Sequence, residues 1–237
     1  MKLSVITLPF SCCVALMVLA APVGTSSLPS ETLHYSVNWP SGLSLGEAQL
    51  SASNARPSAD QAPRLHFTFD LDASIPGFSV SDRYRSETSD DFCAAEFDRK
   101  FTHGKKRVDD KTSFDPREGT ATRVNAGGGK AVVEASSCSR DALSFIYFVR
   151  QELSQGRFPP PQTVFFGVPY DIRLDFAGTE TLRIGDSQQQ ADKFAAKVTG
   201  PSSNLSFEIF FLKDRAHTLA LARVPFAMGT FSLELVK

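Results

Sequence analysis

The 237-residue chain has no surplus of either charge: 25 basic side chains stand against 26 acidic ones. That balance excludes a nucleic-acid coat held by bulk electrostatics. With 42% hydrophobic residues, it also excludes a disordered polyelectrolyte. Histidine is scarce. The four residues, His34, His66, His103 and His217, are isolated from one another, and no pair has metal-ligand spacing on a helix or strand. No serine occupies a nucleophile-elbow context. The triplet Gly127-Gly128-Gly129 lacks the strand-to-helix setting and following Lys-Ser/Thr of a phosphate cradle and reads as a hairpin turn. Hence no catalytic residue, metal ligand or cofactor is assigned, and an enzyme is not expected. Methionine (3) and tryptophan (1) are also few beside 20 Phe, a balance that suits a sheet more than a helical bundle.

The one long apolar run is at the start. Lys2 is followed by no charge until Glu31, and residues 3–21 are mostly apolar, with small residues at Ala20-Ala21 and Gly24-Thr25-Ser26. This is the layout of a secretory signal peptide. The expected organisation is a signal peptide over 1–27 and a single β-rich domain over 28–237. An uncleaved membrane anchor is the alternative, since the run nearly spans a bilayer; Pro9, Ser11 and the single flanking cation oppose it. Cys12 and Cys13 do not make a lipoprotein signal, because Pro9-Phe10-Ser11 lacks the Leu-small-small pattern. After cleavage only Cys93 and Cys138 remain. In an oxidising compartment two such cysteines pair; the other reading is two buried free thiols.

Residues 31–39 alternate, with Leu33, Tyr35, Val37 and Trp39 on one face, the mark of a half-buried strand. Similar runs predict strands at 43–51, 64–73, 78–88, 92–103, 105–114, 119–124 and 130–135. After a helical segment they resume at 163–168, 170–176, 179–184, 193–199, 205–213, 218–224 and 229–236. The second half of 78–88 is polar and is expected at an exposed edge. Residues 139–155 break the rhythm: Ala142, Ile146, Val149 and Leu153 recur at helical spacing, Ser139 and Asp141 stand at the start, and Gly156 precedes Pro159-Pro160-Pro161. Leu143 to Val149 is apolar at six of seven positions, so this helix is expected to be buried on most sides. The fold class that follows is mainly β, a large curved antiparallel sheet or open β-barrel wrapped around one α-helix.

Several segments in order carry a resemblance: residues 31–39 (ETLHYSVNW), Gly46-Glu47-Ala48, Asp82-Arg83-Tyr84-Arg85-Ser86, the Gly104-Lys105-Lys106-Arg107 turn, residues 140–150 (RDALSFIYFVR), residues 211–216 (FLKDRA) and residues 225–231 (PFAMGTF). Together they resemble the bacterial family catalogued as domain of unknown function 3108, exported proteins of the cell envelope, over residues 29 to 237. The segment 186–194 departs from that pattern, as does the Cys93 and Cys138 pair. The resemblance implies a periplasmic location and leaves activity open.

Within the helix, Asp141, Ser144, Tyr147 and Arg150 are spaced by threes, and each step of three turns back by about 60°, so Asp141 and Arg150 cannot meet. One reading gives Asp141 to the helix N-terminus, Arg150 to its C-terminus and Tyr147 to a backbone partner. The other points Tyr147 and Arg150 into a cavity, where they hold an anionic head group. Lys105, Lys106 and Arg107 read as a solvated hairpin tip. The expected function is a non-catalytic binding or carrier module for a lipidic or hydrophobic ligand. The alternative is an envelope scaffold with a filled core that acts on a partner protein through an exposed strand edge.

Overall fold

The alternating runs become fifteen strands and one helix in the computed structural model, which describes residues 29–55, 64–201, 204–226 and 229–236. The expected signal peptide lies outside the described residues. Eight strands precede the helix: β1 (Glu31–Asn38), β2 (Ser44–Ala55), β3 (Arg64–Ile75), β4 (Phe78–Ser89), β5 (Ala94–His103), β6 (Lys106–Asp115), β7 (Thr120–Asn125) and β8 (Lys130–Glu134). A two-residue β9 (Arg140–Asp141) leads into α1 (Ala142–Ser154). The chain then runs through β10 (Gln162–Phe165), β11 (Pro169–Ile184), β12 (Ser187–Thr199), β13 (Asn204–Leu212), β14 (Leu219–Phe226) and β15 (Gly229–Val236).

All fifteen form one sheet in the order β8-β7-β6-β5-β4-β3-β2-β1-β15-β14-β13-β12-β11-β10-β9. Successive strands pair as hairpins from β1 to β8 and from β10 to β15; β1 joins β15 antiparallel, and only β9–β10 is parallel. The two ends of the sheet do not pair with each other. They overlap like the edges of a scroll. Ala94 N donates to Ser139 O at 2.8 Å, and the Cys93–Cys138 disulfide fastens the same point. Further along, the β10–β11 turn lies against β5–β7. Arg99 Nη1 donates to Phe166 O at 2.8 Å, Arg123 Nη1 donates to Gly167 O at 2.9 Å, and Phe165 meets Phe114 edge-on at 5.1 Å. Arg99 is itself held by a bidentate pair with buried Asp110, at 3.1 and 2.6 Å. Gly167 is required here: its φ is 77°, and a Cβ would lie 2.1 Å from Arg99 Nη2.

The helix ends are built locally. Asp141 caps the N-terminus, its Oδ1 accepting from Leu143 N (2.8 Å) and Ser144 N (3.0 Å), while Asp141 N donates back to Ser144 Oγ (2.9 Å). This is a capping box with serine in the N3 role. At the other end Arg157 N donates to Glu152 O and Gly156 N to Leu153 O, both at 2.9 Å, with Gly156 at φ 71°. That is a Schellman stop. The helix lies inside the curl, against β3, β4, β9 and β10, and Leu143, Phe145, Tyr147, Val149 and Leu153 are all buried. The inward faces contribute Tyr35, Phe67, Phe97, Phe194 and Phe211 to the same core. A smaller cluster around Phe210, Leu182 and Leu221 packs separately.

Four sequence expectations change. The helix begins after Asp141, not at Ser139, because the Asp141 side chain takes the capping bonds. Residues 170–184 form one strand with a bulge between Phe176 and Gly178. Residues 187–192 belong to β12, whose first four residues extend past β13 and pair with β11, Gln190 O also accepting from Lys213 N at 2.9 Å. Finally, β4 is not an edge: it lies between β3 and β5. Asp82 and Ser86 point inward because partners await them there, while Arg83 and Arg85, on the other face, form exposed ion pairs with Asp72 and Asp70. Ser86 Oγ donates to Asp141 Oδ2 at 2.5 Å, and Asp82 Oδ1 is 2.7 Å from His103 Nε2.

Candidate functional site

One stripe of α1, Ala142, Phe145, Ile146 and Val149, follows the i, i+3, i+4, i+7 spacing of a single helix face. It looks across an unfilled space of ≈ 270 Å³ toward the opposite wall of the curl. That wall includes Ile172 and Leu174 of β11, Phe207 and Ile209 of β13, Leu219 of β14 and Leu233 of β15. The walls present no polar surface, and the space is partly open to solvent. Its origin is geometric. A curled sheet this wide encloses more volume than one helix fills, and α1 is drawn against β3, β4, β9 and β10, leaving the far strands uncovered. Burial along β3 records the gap: Leu65 and Phe67 are buried, whereas Phe69 and Leu71, next on the same face, are only half-buried.

Phe166, in the β10–β11 turn, stands at the wall of this space. Its ring is 5.1 Å edge-on from Tyr84 and lies 4.9 Å from the Arg99 guanidinium carbon. The bonds from Arg99 and Arg123 to the Phe166 and Gly167 carbonyls hold that turn in place.

The polar stripe of α1 faces elsewhere. Arg150, buried, pairs with Glu31 of β1 through both terminal nitrogens, Nη2 to Oε2 at 3.0 Å, and its Nε donates to Ala216 O at 3.0 Å. Its guanidinium carbon sits 4.9 Å from the centre of the Tyr147 ring, which stacks on Phe67 at 4.3 Å. The Tyr147 hydroxyl is buried without a hydrogen-bond partner among the described residues. Tyr35 instead reaches a backbone carbonyl, donating to Leu219 O at 2.9 Å.

Burial pushes both phenols well above the ordinary tyrosine range, so they stay neutral. Burial also raises the Asp141 carboxyl against the opposing effect of its hydrogen bonds. It lowers the His217 imidazole below the ordinary histidine value, against the opposing effect of the Asp214 and Asp192 carboxylates.

Tyr147 and Arg150 are thus brought together, but neither lines the apolar space, and the Arg150 charge already has its counter-ion. Sequence reasoning does not single out the Glu31 carboxylate. It lies 119 positions from Arg150, and nothing local marks it. Cys93 and Cys138 form the disulfide. Among the described residues no three His, Cys, Asp or Glu side chains gather as a metal site, and no helix is long and apolar enough to cross a membrane.

Among solved structures, the chain is similar to the crystal structure of a beta-barrel-like protein of domain of unknown function DUF1849 from Brucella abortus. The TM-score is 0.60 at 11% identity, covering 88% of this chain and 96% of the other. At that identity the likeness speaks for the fold. No curated protein matches the chain. The model of the family described as protein of unknown function (DUF3108) matches residues 33–236, and the chain belongs to that family.

Proposed function

We propose that this protein is an exported, periplasmic binding or carrier module without catalytic activity, and that its ligand is a lipidic or other hydrophobic small molecule held between α1 and the sheet. The observation that carries this reading is the ≈ 270 Å³ space whose walls present only apolar surface. An engineered apolar cavity of roughly 150 Å³ stays dry and takes up benzene. By the same measure this one accommodates a short acyl chain or a compact ring system. The apolar stripe of the helix gives such a ligand no hydrogen-bonding anchor, so selection rests on shape and length, at about 0.8 kcal/mol per buried methylene. The Glu31–Arg150 pair serves by fixing the helix, not by meeting the ligand. A scaffold with a filled core is the less favoured reading, because side chains do not fill this space.

The test is native mass spectrometry of protein purified from the periplasm, with solvent extraction of the same sample. A bound apolar species, released by solvent, is expected. A ligand-free protein that also fails to take up a fluorescent apolar probe saturably would overturn the proposal.

A further inference from the structure

The scroll leaves one sheet edge outside its overlap. β9 is covered by the start of β5, but β8 ends the strand order on the other side, and no described strand pairs with its outer edge. All five of its residues are exposed, Val132 at 55%. Folded proteins blunt such edges with proline, bulges, covering loops, short length or edge charges, because the free N–H and C=O groups recruit another strand; the five residues of β8 carry charge only at the two ends, Lys130 and Glu134. β8, Lys130-Ala131-Val132-Val133-Glu134, has no proline, and its pairing with β7 runs without a bulge.

The strand is also complementary to itself. Two copies aligned antiparallel about Val132 place Lys130 opposite Glu134 at both ends, Ala131 opposite Val133, and Val132 opposite its own copy. The strand register puts Val132 across from Thr122 and Val124 across from Lys130, so Val124, 42% exposed, shares the face of Val132. The paired edge therefore sets the two Val132 side chains against each other between two ion pairs, with each copy's Thr122 beside its Val132 and each copy's Val124 behind its Lys130. A parallel alignment would set Lys130 against Lys130 and Glu134 against Glu134.

We infer that the partner of this edge is a second copy of the same chain, paired antiparallel through β8 in a two-fold dimer that continues the sheet from one scroll into the next. This inference is independent of what the cavity holds. Five residues extend only about 17 Å, and the buried area falls short of the roughly 1,600 Å² of a standard interface. The dimer is accordingly weak and forms at high local concentration.

The experiment is sedimentation velocity on the wild type, Lys130→Glu and Glu134→Lys over a wide concentration range, with near-ultraviolet circular dichroism to establish that each variant is folded. The wild type is expected to dimerise reversibly. Each single variant turns both ion pairs into like-charge pairs and weakens the dimer by about tenfold or more. An equimolar mixture of the two variants restores dimers. At one end the carboxylate introduced at position 130 then faces the ammonium introduced at position 134, and at the other the unaltered Glu134 of one copy faces the unaltered Lys130 of the other. A wild type that stays monomeric throughout, or folded variants that dimerise equally well alone and mixed, would overturn the inference.

Discussion

Filling the space from the side opposite the helix separates a ligand cavity from a loosely packed core. Ala222 of β14 is on the wall, and Ala222→Phe directs a ring into the space. Residual cavity volume in a core costs ~24 cal/mol per Å³. For ≈ 270 Å³ the upper limit is about 6 kcal/mol, reached only if the space were fully sealed. A benzene-sized ring occupies roughly half of it, judging from the ~150 Å³ cavity that binds benzene, and relieves at most ~3 kcal/mol. Rotamer strain of about 1–3 kcal/mol opposes that gain. The variant is therefore expected to be as stable as the wild type or up to ~2 kcal/mol more stable in urea. Its affinity for a fluorescent apolar probe falls at least tenfold, because losing even two methylenes of burial at ~0.8 kcal/mol each has that effect. Phe176→Ser, which alters the exposed Phe158–Phe176 stack outside the cavity wall, serves as the control and leaves probe affinity unchanged. A folded Ala222→Phe protein with wild-type probe affinity would refute the assignment of the ligand to this space.

Three other perturbations test the parts that hold the space open. Closing the 45-residue separation between Cys93 and Cys138 restricts the unfolded chain by about 4 kcal/mol in the entropic model; Cys93→Ser/Cys138→Ser is expected to lose most of that in urea unfolding, and adding reductant to the wild type should reproduce the loss. Glu31→Gln leaves the Arg150 charge buried without its counter-ion and is expected to cost about 3 kcal/mol, whereas Glu31→Gln/Arg150→Met recovers at least half of it. For His217, burial lowers the folded-state pKa, so between that value and the ordinary ~6.5 the unfolded chain binds more protons, and stability falls as pH drops through this window. His217→Asn, an acceptable residue at the left-handed φ of 44°, is expected to flatten this part of the stability profile; an unchanged profile would remove His217 as its source.

The features legible in the sequence are those whose physical cause is local. Alternation along β1 and β3 marks which residues face the core, because side chains change sides at every step. The helix is readable from its stripe and from Gly156, although its true cap, Asp141, lies two residues beyond the serine that first draws attention. Features that depend on a distant partner are not legible. The inward Asp82 and Ser86 resemble an exposed edge until His103 and Asp141 are placed beside them. The first residues of β12, Ser187 to Gln190, carry no apolar alternation because they extend past β13. Of the two tyrosines facing Arg150, Tyr147 is the one expected to reach the backbone, yet Tyr35 does so. The cavity itself is a mismatch between the width of the sheet and the girth of one helix, and no single segment encodes that.

The central claim is that an apolar ligand lies between the helix stripe and the far wall. Methyl-labelled nuclear magnetic resonance with an unlabelled apolar ligand tests it most directly. Intermolecular contacts from the ligand to the methyl groups of Ile146, Leu174, Ile209 and Leu233 are predicted, since all four side chains border the space. At saturating ligand, contacts confined to the outer surface, or none at these methyls, would contradict the account.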